Sequence, residues 1–125
     1  MENIRVLVCD DSVFVRKKLT SFLQTLDDVA EIYEASDGFE AVAQYKEHSP
    51  TVVFMDIVMP NKTGIEALGE IMDFDPDARV YMASSVGTQN YLKDAINAGA
   101  TDFLQKPIAN DDVEKIIEML VEEED

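Results

Sequence analysis

Five times along this chain, a short apolar run is followed by a segment whose apolar residues recur at helical spacing. No other feature limits the fold as tightly. The runs are Ile4 to Cys9, Ala30 to Ala35, Val52 to Asp56, Arg79 to Ala83 and Asp102 to Gln105. Bounded by turn formers, they read as strands, and Val52 to Asp56, with its β-branched and aromatic content, reads as one buried on both faces. The segments after them carry Val15, Leu19, Phe22, Leu23 and Leu26; then Ala41, Val42 and Tyr45; then Ile65, Leu68, Ile71 and Met72; then Tyr91, Leu92, Ala95 and Ile96; and last Val113, Ile116, Ile117, Leu120 and Val121. Such spacing predicts amphipathic helices. Strict β-α alternation implies an α/β fold, a doubly wound (βα)5 with a five-stranded parallel sheet and helices on both faces. At 125 residues, the chain is expected to form a single domain over 1–125.

The punctuation agrees with this reading. Asp10-Asp11-Ser12 ends the first strand, and Ser12 or Asp11 is placed to cap the next helix. Ser36-Asp37-Gly38 reads as a turn, Asp75-Pro76-Asp77 as a helix stop, and Gly99 as the end of a short helix. The second strand alternates and should be the more exposed one. Cys9 is expected as buried packing, and His48, at a helix end, as a solvated capping residue. Glu122 to Asp125 is expected to fray.

Charge removes whole classes of function. The net charge is -16, and nucleic-acid phosphates or an anionic membrane surface would repel such a protein. Asp111 to Asp125 alone holds eight acids against Lys115. No apolar run approaches the roughly 20 residues of a membrane span. The start of the chain has no signal-peptide form, and a lone cysteine suits a reducing compartment, so a cytoplasmic location is expected. With one histidine, a histidine-based metal site is disfavoured. The glycine loops of nucleotide-binding folds and the G-x-S-x-G elbow are absent from the sequence.

The chemistry gathers at strand ends. The first strand delivers Asp10 and Asp11, the third Asp56, the fourth Ser84 and the fifth Lys106. In a parallel sheet these ends share one edge, the edge at which ligands bind. Three carboxylates placed together either retain a proton or bind a cation. Hard oxygen donors at a partly open site suit Mg2+, completed by water and a phosphate oxygen. Lys106 adds a compact positive charge, and Ser84 a hydrogen bond. Asp56 is then placed as a carboxylate nucleophile for a phosphoryl group, a transfer that depends mainly on positioning and charge neutralisation. Together these residues describe an aspartyl-phosphate site.

Asp10-Asp11-Ser12, the segment Val53 to Gly64 with Asp56 and Met59-Pro60, Ser84 and Lys106-Pro107 together resemble the receiver domain of two-component response regulators, over the whole chain. The resemblance implies the flavodoxin-like strand order 2-1-3-4-5. It implies Asp56 as phosphoacceptor, and Mg2+ held by Asp11, Asp56 and the backbone carbonyl of Val58, with Asp10 acting through water. Ser84 would grip the phosphoryl group and Lys106 would contact it from the other side, after a cis Lys106-Pro107 bond. Phe103 matches the aromatic switch position, where many relatives carry tyrosine. Val58 and Val86 match the two positions that frame access of the hydrolytic water. Both are apolar, so a long-lived acyl phosphate is expected.

A chain without room for an output domain is expected to signal by binding. The leading expectation is a phosphorylation-activated switch, not an enzyme beyond its own phosphorylation and slow autodephosphorylation. It would be charged by a sensor histidine kinase or phosphotransfer domain and read by a target on the face of the fourth helix, fifth strand and fifth helix, as in chemotaxis. The alternative is a relay intermediate that passes phosphate from Asp56 to a histidine phosphotransfer protein. Arg16-Lys17-Lys18 is a candidate basic patch for an acidic kinase, or else a solvated helix face. A phosphohydrolase of the haloacid dehalogenase kind is disfavoured, because its second acid would have to stand at Val58.

Overall fold

The computed structural model describes residues 3–124, apart from the side chains of Val86 and Glu124. Asp125 lies outside the described residues, as do Met1 and Glu2. Strands β1 (Ile4–Cys9), β2 (Val29–Ala35), β3 (Val52–Asp56), β4 (Val80–Ser84) and β5 (Asp102–Gln105) alternate with helices α1 (Val13–Leu23), α2 (Gly38–His48), α3 (Gly64–Phe74), α4 (Leu92–Ala98) and α5 (Asn110–Glu124). All pairings are parallel, in the order β2-β1-β3-β4-β5. The doubly wound α/β fold and its strand order are as expected.

Alternation along each strand divides the core into two layers, since successive side chains point to opposite faces. Leu7, Cys9, Val53 and Met55 face Ala41, Val42 and Tyr45 of α2, Leu68 and Ile71 of α3, and Ala95 of α4. Val6, Val8, Val52 and Phe54 face Leu19 and Leu23 of α1 and Val113, Ile117 and Leu120 of α5. β3 is buried at every position because it lies in the middle of the sheet with helices above and below. β2, at an edge, is largely exposed or half-buried. No helix among the described residues is long and apolar enough to cross a membrane.

Three expectations need correction. The segment from Val86 to Tyr91 is a 3-10 turn that precedes α4, and Tyr91 and Ile96 are exposed while Ala95 is buried. Seven residues of α-helix are too short to present a full apolar stripe. The ring of His48 stacks on Tyr33 with centroids 3.9 Å apart, so it packs against the β2 edge instead of standing in solvent. Finally, Glu122 to Glu124 continue α5, and Glu123 pairs with Arg79.

Candidate functional site

The ends of β1, β3, β4 and β5 are held level by the sheet register. Cys9 pairs with Met55, Asp56 with Ala83, and Ser84 with Gln105. Asp10 follows β1 and closes it by donating its N–H to Ala35 at 3.0 Å. Lys106 follows β5 and donates its N–H to the Ser84 carbonyl at 2.8 Å. The Lys106-Pro107 bond is cis. One register thus brings Asp10, Asp56, Ser84 and Lys106 to a single edge.

Asp10, Asp56 and Ser84 are buried, and Asp11 is exposed. Lys106 Nζ donates to Asp10 Oδ2 at 2.8 Å and to Asp56 Oδ2 at 3.1 Å. The second oxygen of Asp10 accepts the Ser12 N–H at 2.9 Å, and that of Asp56 faces the Val58 N–H at 3.4 Å. Ser12 also caps α1, its hydroxyl accepting from Val15 N–H at 3.2 Å. Oxygens of Asp10, Asp11 and Asp56 lie within 4.8 Å of one another. Three hard donors that close match the chemistry of a Mg2+ site with room for water.

Charge and burial oppose one another here. Burial pushes the Asp56 carboxyl above its usual range and Asp10 adds to the rise, while the Lys106 ammonium pulls it back. Burial also works against the charge on Lys106, but its hydrogen bonds and attraction to Asp10 and Asp56 prevail and raise its pKa. One ammonium is shared between two buried carboxylates, a charge deficit that a divalent cation would repair.

The loop after β3 folds back tightly on the strand. Gly64 donates its N–H to the Ile57 carbonyl at 2.8 Å. A Cβ at Gly64 would stand 1.9 Å from the Asp56 carbonyl oxygen, so only glycine admits this approach. Thr63 and Glu66 then cap α3 reciprocally. Val58, on this loop, is half-exposed; the side chain of Val86, its expected companion, lies outside the described residues. Phe103 is half-buried and packs against the layer formed by α2, α3 and α4.

Two residues beside the site make contacts that the sequence reading did not assign to them. Arg16, grouped in the sequence with Lys17 and Lys18 as a docking patch or else a solvated helix face, turns inward. It donates to the Asp10 carbonyl at 2.6 Å and to Glu34 at 3.1 Å, while Lys17 and Lys18 stay exposed. The signal was available: Arg16 stands three, four and seven residues before Leu19, Thr20 and Leu23, on the buried side of α1. Asn61 is the other, tied to Asp37 across two loops.

Residues 6–118 match the response regulator receiver domain family. The chain belongs to that family. This receiver is 45% identical over 109 residues to the chemotaxis protein CheY of Bacillus subtilis, covering 87% of this chain and 90% of that protein. It is 45% identical over 103 residues to CheY of Thermotoga maritima, covering 82% and 85%. Among solved structures, it resembles CheY in the CheX–CheY–BeF3–Mg2+ complex of Borrelia burgdorferi, with 40% identity, a TM-score of 0.81 and coverage of 90% and 84%. It also resembles the co-crystal structure of a Saccharomyces cerevisiae histidine phosphotransfer protein and the receiver domain of its downstream response regulator, with 28% identity, a TM-score of 0.82 and coverage of 93% and 87%. The chain is a CheY-like receiver of the two-component class, a signalling protein instead of a classical enzyme. Receivers of this family bind Mg2+ at an acidic pocket and pair with kinases or phosphotransfer proteins.

Proposed function

We propose that this receiver, a single domain over 1–125, takes a phosphoryl group from a histidine kinase onto Asp56 and then signals by binding a target, in chemotaxis. The observation that carries the reading is the arrangement around Asp56, where one ammonium bridges it to Asp10 and Asp11 stands within ligand distance. Asp10, Asp11, Asp56 and the Val58 carbonyl would hold Mg2+. When bound, that ion would supply positive charge against the carboxylates and the oxygens of an incoming phosphoryl group.

A carboxylate oxygen of Asp56 attacks phosphorus as the bond from phosphorus to the donor's imidazole nitrogen breaks. The imidazole leaves with the bonding pair. Lys106 keeps its charge through this step, because its acidic neighbours raise its pKa. It exchanges part of its contact with Asp56 for a phosphoryl oxygen. Ser84 donates its hydroxyl to another. Ser84 is the last residue of β4, two before the 3-10 turn that leads to α4, so drawing it inward shifts that segment and lets Phe103 turn further into the core. Val58, half-exposed and apolar, offers no hydrogen bond from its side chain to the hydrolytic water, which favours a long-lived phosphate.

The target face is that of α4, β5 and α5, where Ile96 on α4 and Met119 on α5 are exposed. A cytoplasmic location accompanies this role. The resemblance to the yeast phosphotransfer complex supports a second reading, relay of phosphate from Asp56 to a histidine.

Intact mass after incubation with acetyl phosphate and Mg2+ tests the reading. A phosphate-sized gain that requires Mg2+ and disappears in Asp56→Asn is expected. An unchanged mass in protein shown to bind Mg2+, even after exposure to a phosphorylated histidine kinase, would remove Asp56 as the acceptor. Loss of the added mass to an isolated histidine phosphotransfer domain would favour the relay.

A further inference from the structure

The loop between β3 and α3 has a strained tip. Lys62 N–H donates to the Pro60 carbonyl two residues back at 2.7 Å, and Asn61 between them has φ +69°. This is a γ-turn with positive φ, a rare and costly form. Such a conformation persists only where its surroundings over-determine it.

Those surroundings are the turn between β2 and α2. Asn61 Nδ2 donates to Asp37 Oδ2 at 2.9 Å. The Lys62 carbonyl accepts the Gly38 N–H at 3.0 Å. Gly38 has to be glycine for this, since a Cβ there would lie 2.2 Å from the Lys62 carbonyl oxygen. The other oxygen of Asp37 caps α2 by accepting the Glu40 N–H at 2.8 Å. One carboxylate therefore fixes both the start of α2 and the tip of the neighbouring loop. Lys62 adds an ion pair with Glu70 and lies 4.7 Å over the ring of Phe39.

We propose that Asp37, Gly38 and Asn61 are positioning residues for the phosphoacceptor site. They clamp the tip of the loop so that the main chain at Val58, three residues before Asn61, keeps its place beside Asp56. The inference rests on the assignment of the Val58 carbonyl to Mg2+ made above. The Ser36-Asp37-Gly38 turn, at a strand end that supplies no ligand, acquires a role in the site through the loop it holds.

The test is the Mg2+ affinity of the intact chain by titration calorimetry, with the rate of phosphorylation by acetyl phosphate as a second readout. Asn61→Gly keeps the left-handed backbone accessible and deletes the amide. Asn61→Asp sets two carboxylates against each other. Both should weaken Mg2+ binding by about tenfold, the usual scale for supporting contacts around a metal site. The double variant Asp37→Asn/Asn61→Asp exchanges donor and acceptor, preserves the cap on α2 and leaves the net charge unchanged. It should recover most of the lost affinity. Wild-type affinity in both single variants, or no recovery in the double variant, would overturn the clamp. Wild-type protein that binds no Mg2+ and gains no phosphate would instead overturn the Asp56 reading, and the clamp's role with it.

Discussion

α3 and α4 are consecutive helices on one face of the same sheet, yet they are built very differently. α3 has eleven residues, a reciprocal cap from Thr63 and Glu66, and Ala67, Leu68 and Ile71 in the core. α4 has seven residues, follows a 3-10 turn, receives no side-chain cap from Tyr91 and buries Ala95. The strands show the same contrast, with β3 buried throughout and β5 exposed or half-buried. Where few apolar groups are buried, local opening costs little free energy. The half of the sheet that carries Asp56 is therefore firm, and the half that carries α4 and β5 is the part able to rearrange when charge at the edge changes.

The contrast can be broken most forcefully in the core. Leu68→Ala removes a fully buried side chain and should cost about 2–5 kcal/mol. Ile96→Ala, at a site 60% exposed, should change stability by no more than about 0.5 kcal/mol. Urea unfolding of the two variants decides the matter, and similar losses would show that α4 is as integral as α3. Helix caps give a smaller effect. Thr63→Ala should cost about 1 kcal/mol, whereas Tyr91→Ala, with no cap bond to lose, should fall within about 0.5 kcal/mol.

Acidification gives the smallest effect. Backbone N–H bonds at helix starts hold the carboxyls of Asp37 and Glu66 below their ordinary values of 3.8 and 4.5, and the Ser36 hydroxyl and N–H do the same for Glu40. A depressed folded pKa stabilises above the unfolded value, and that contribution is lost as pH falls through the folded one. The starts of α2 and α3 should loosen in that window. Carboxyl chemical shifts followed by NMR from pH 6 downward, an interval chosen to span roughly the whole carboxylate range, should place all three midpoints below 3.8 for Asp37 and 4.5 for the glutamates. Midpoints at the ordinary values would leave those caps without electrostatic weight.

Much of this was legible in the sequence, for a physical reason. Val52 to Asp56 is apolar at every position up to its terminal acid because the strand has no solvent face, and a run of that kind admits few alternatives. The edge cluster followed from strand ends that a parallel sheet must align. What escaped depended on direction or on distant loops. The start of α4 was hidden because a 3-10 turn carries no apolar period to read. The tie between Asp37 and Asn61 joins residues 24 apart in sequence, through a backbone conformation that neither local sequence announces. His48 was misplaced because a stacking partner on another element leaves no periodic trace.

Cys9 carries a consequence beyond the site it adjoins. The thiol sits in β1, 2% exposed, directly before Asp10 and packed beside Met55. Burial, with Asp10 nearby, raises its pKa far above the usual thiol range, so the folded protein presents almost no reactive thiolate. As the single sulfhydryl of the chain, it becomes reactive when the central strands part. The rate at which an alkylating reagent captures it is a clock for opening of the middle of the sheet.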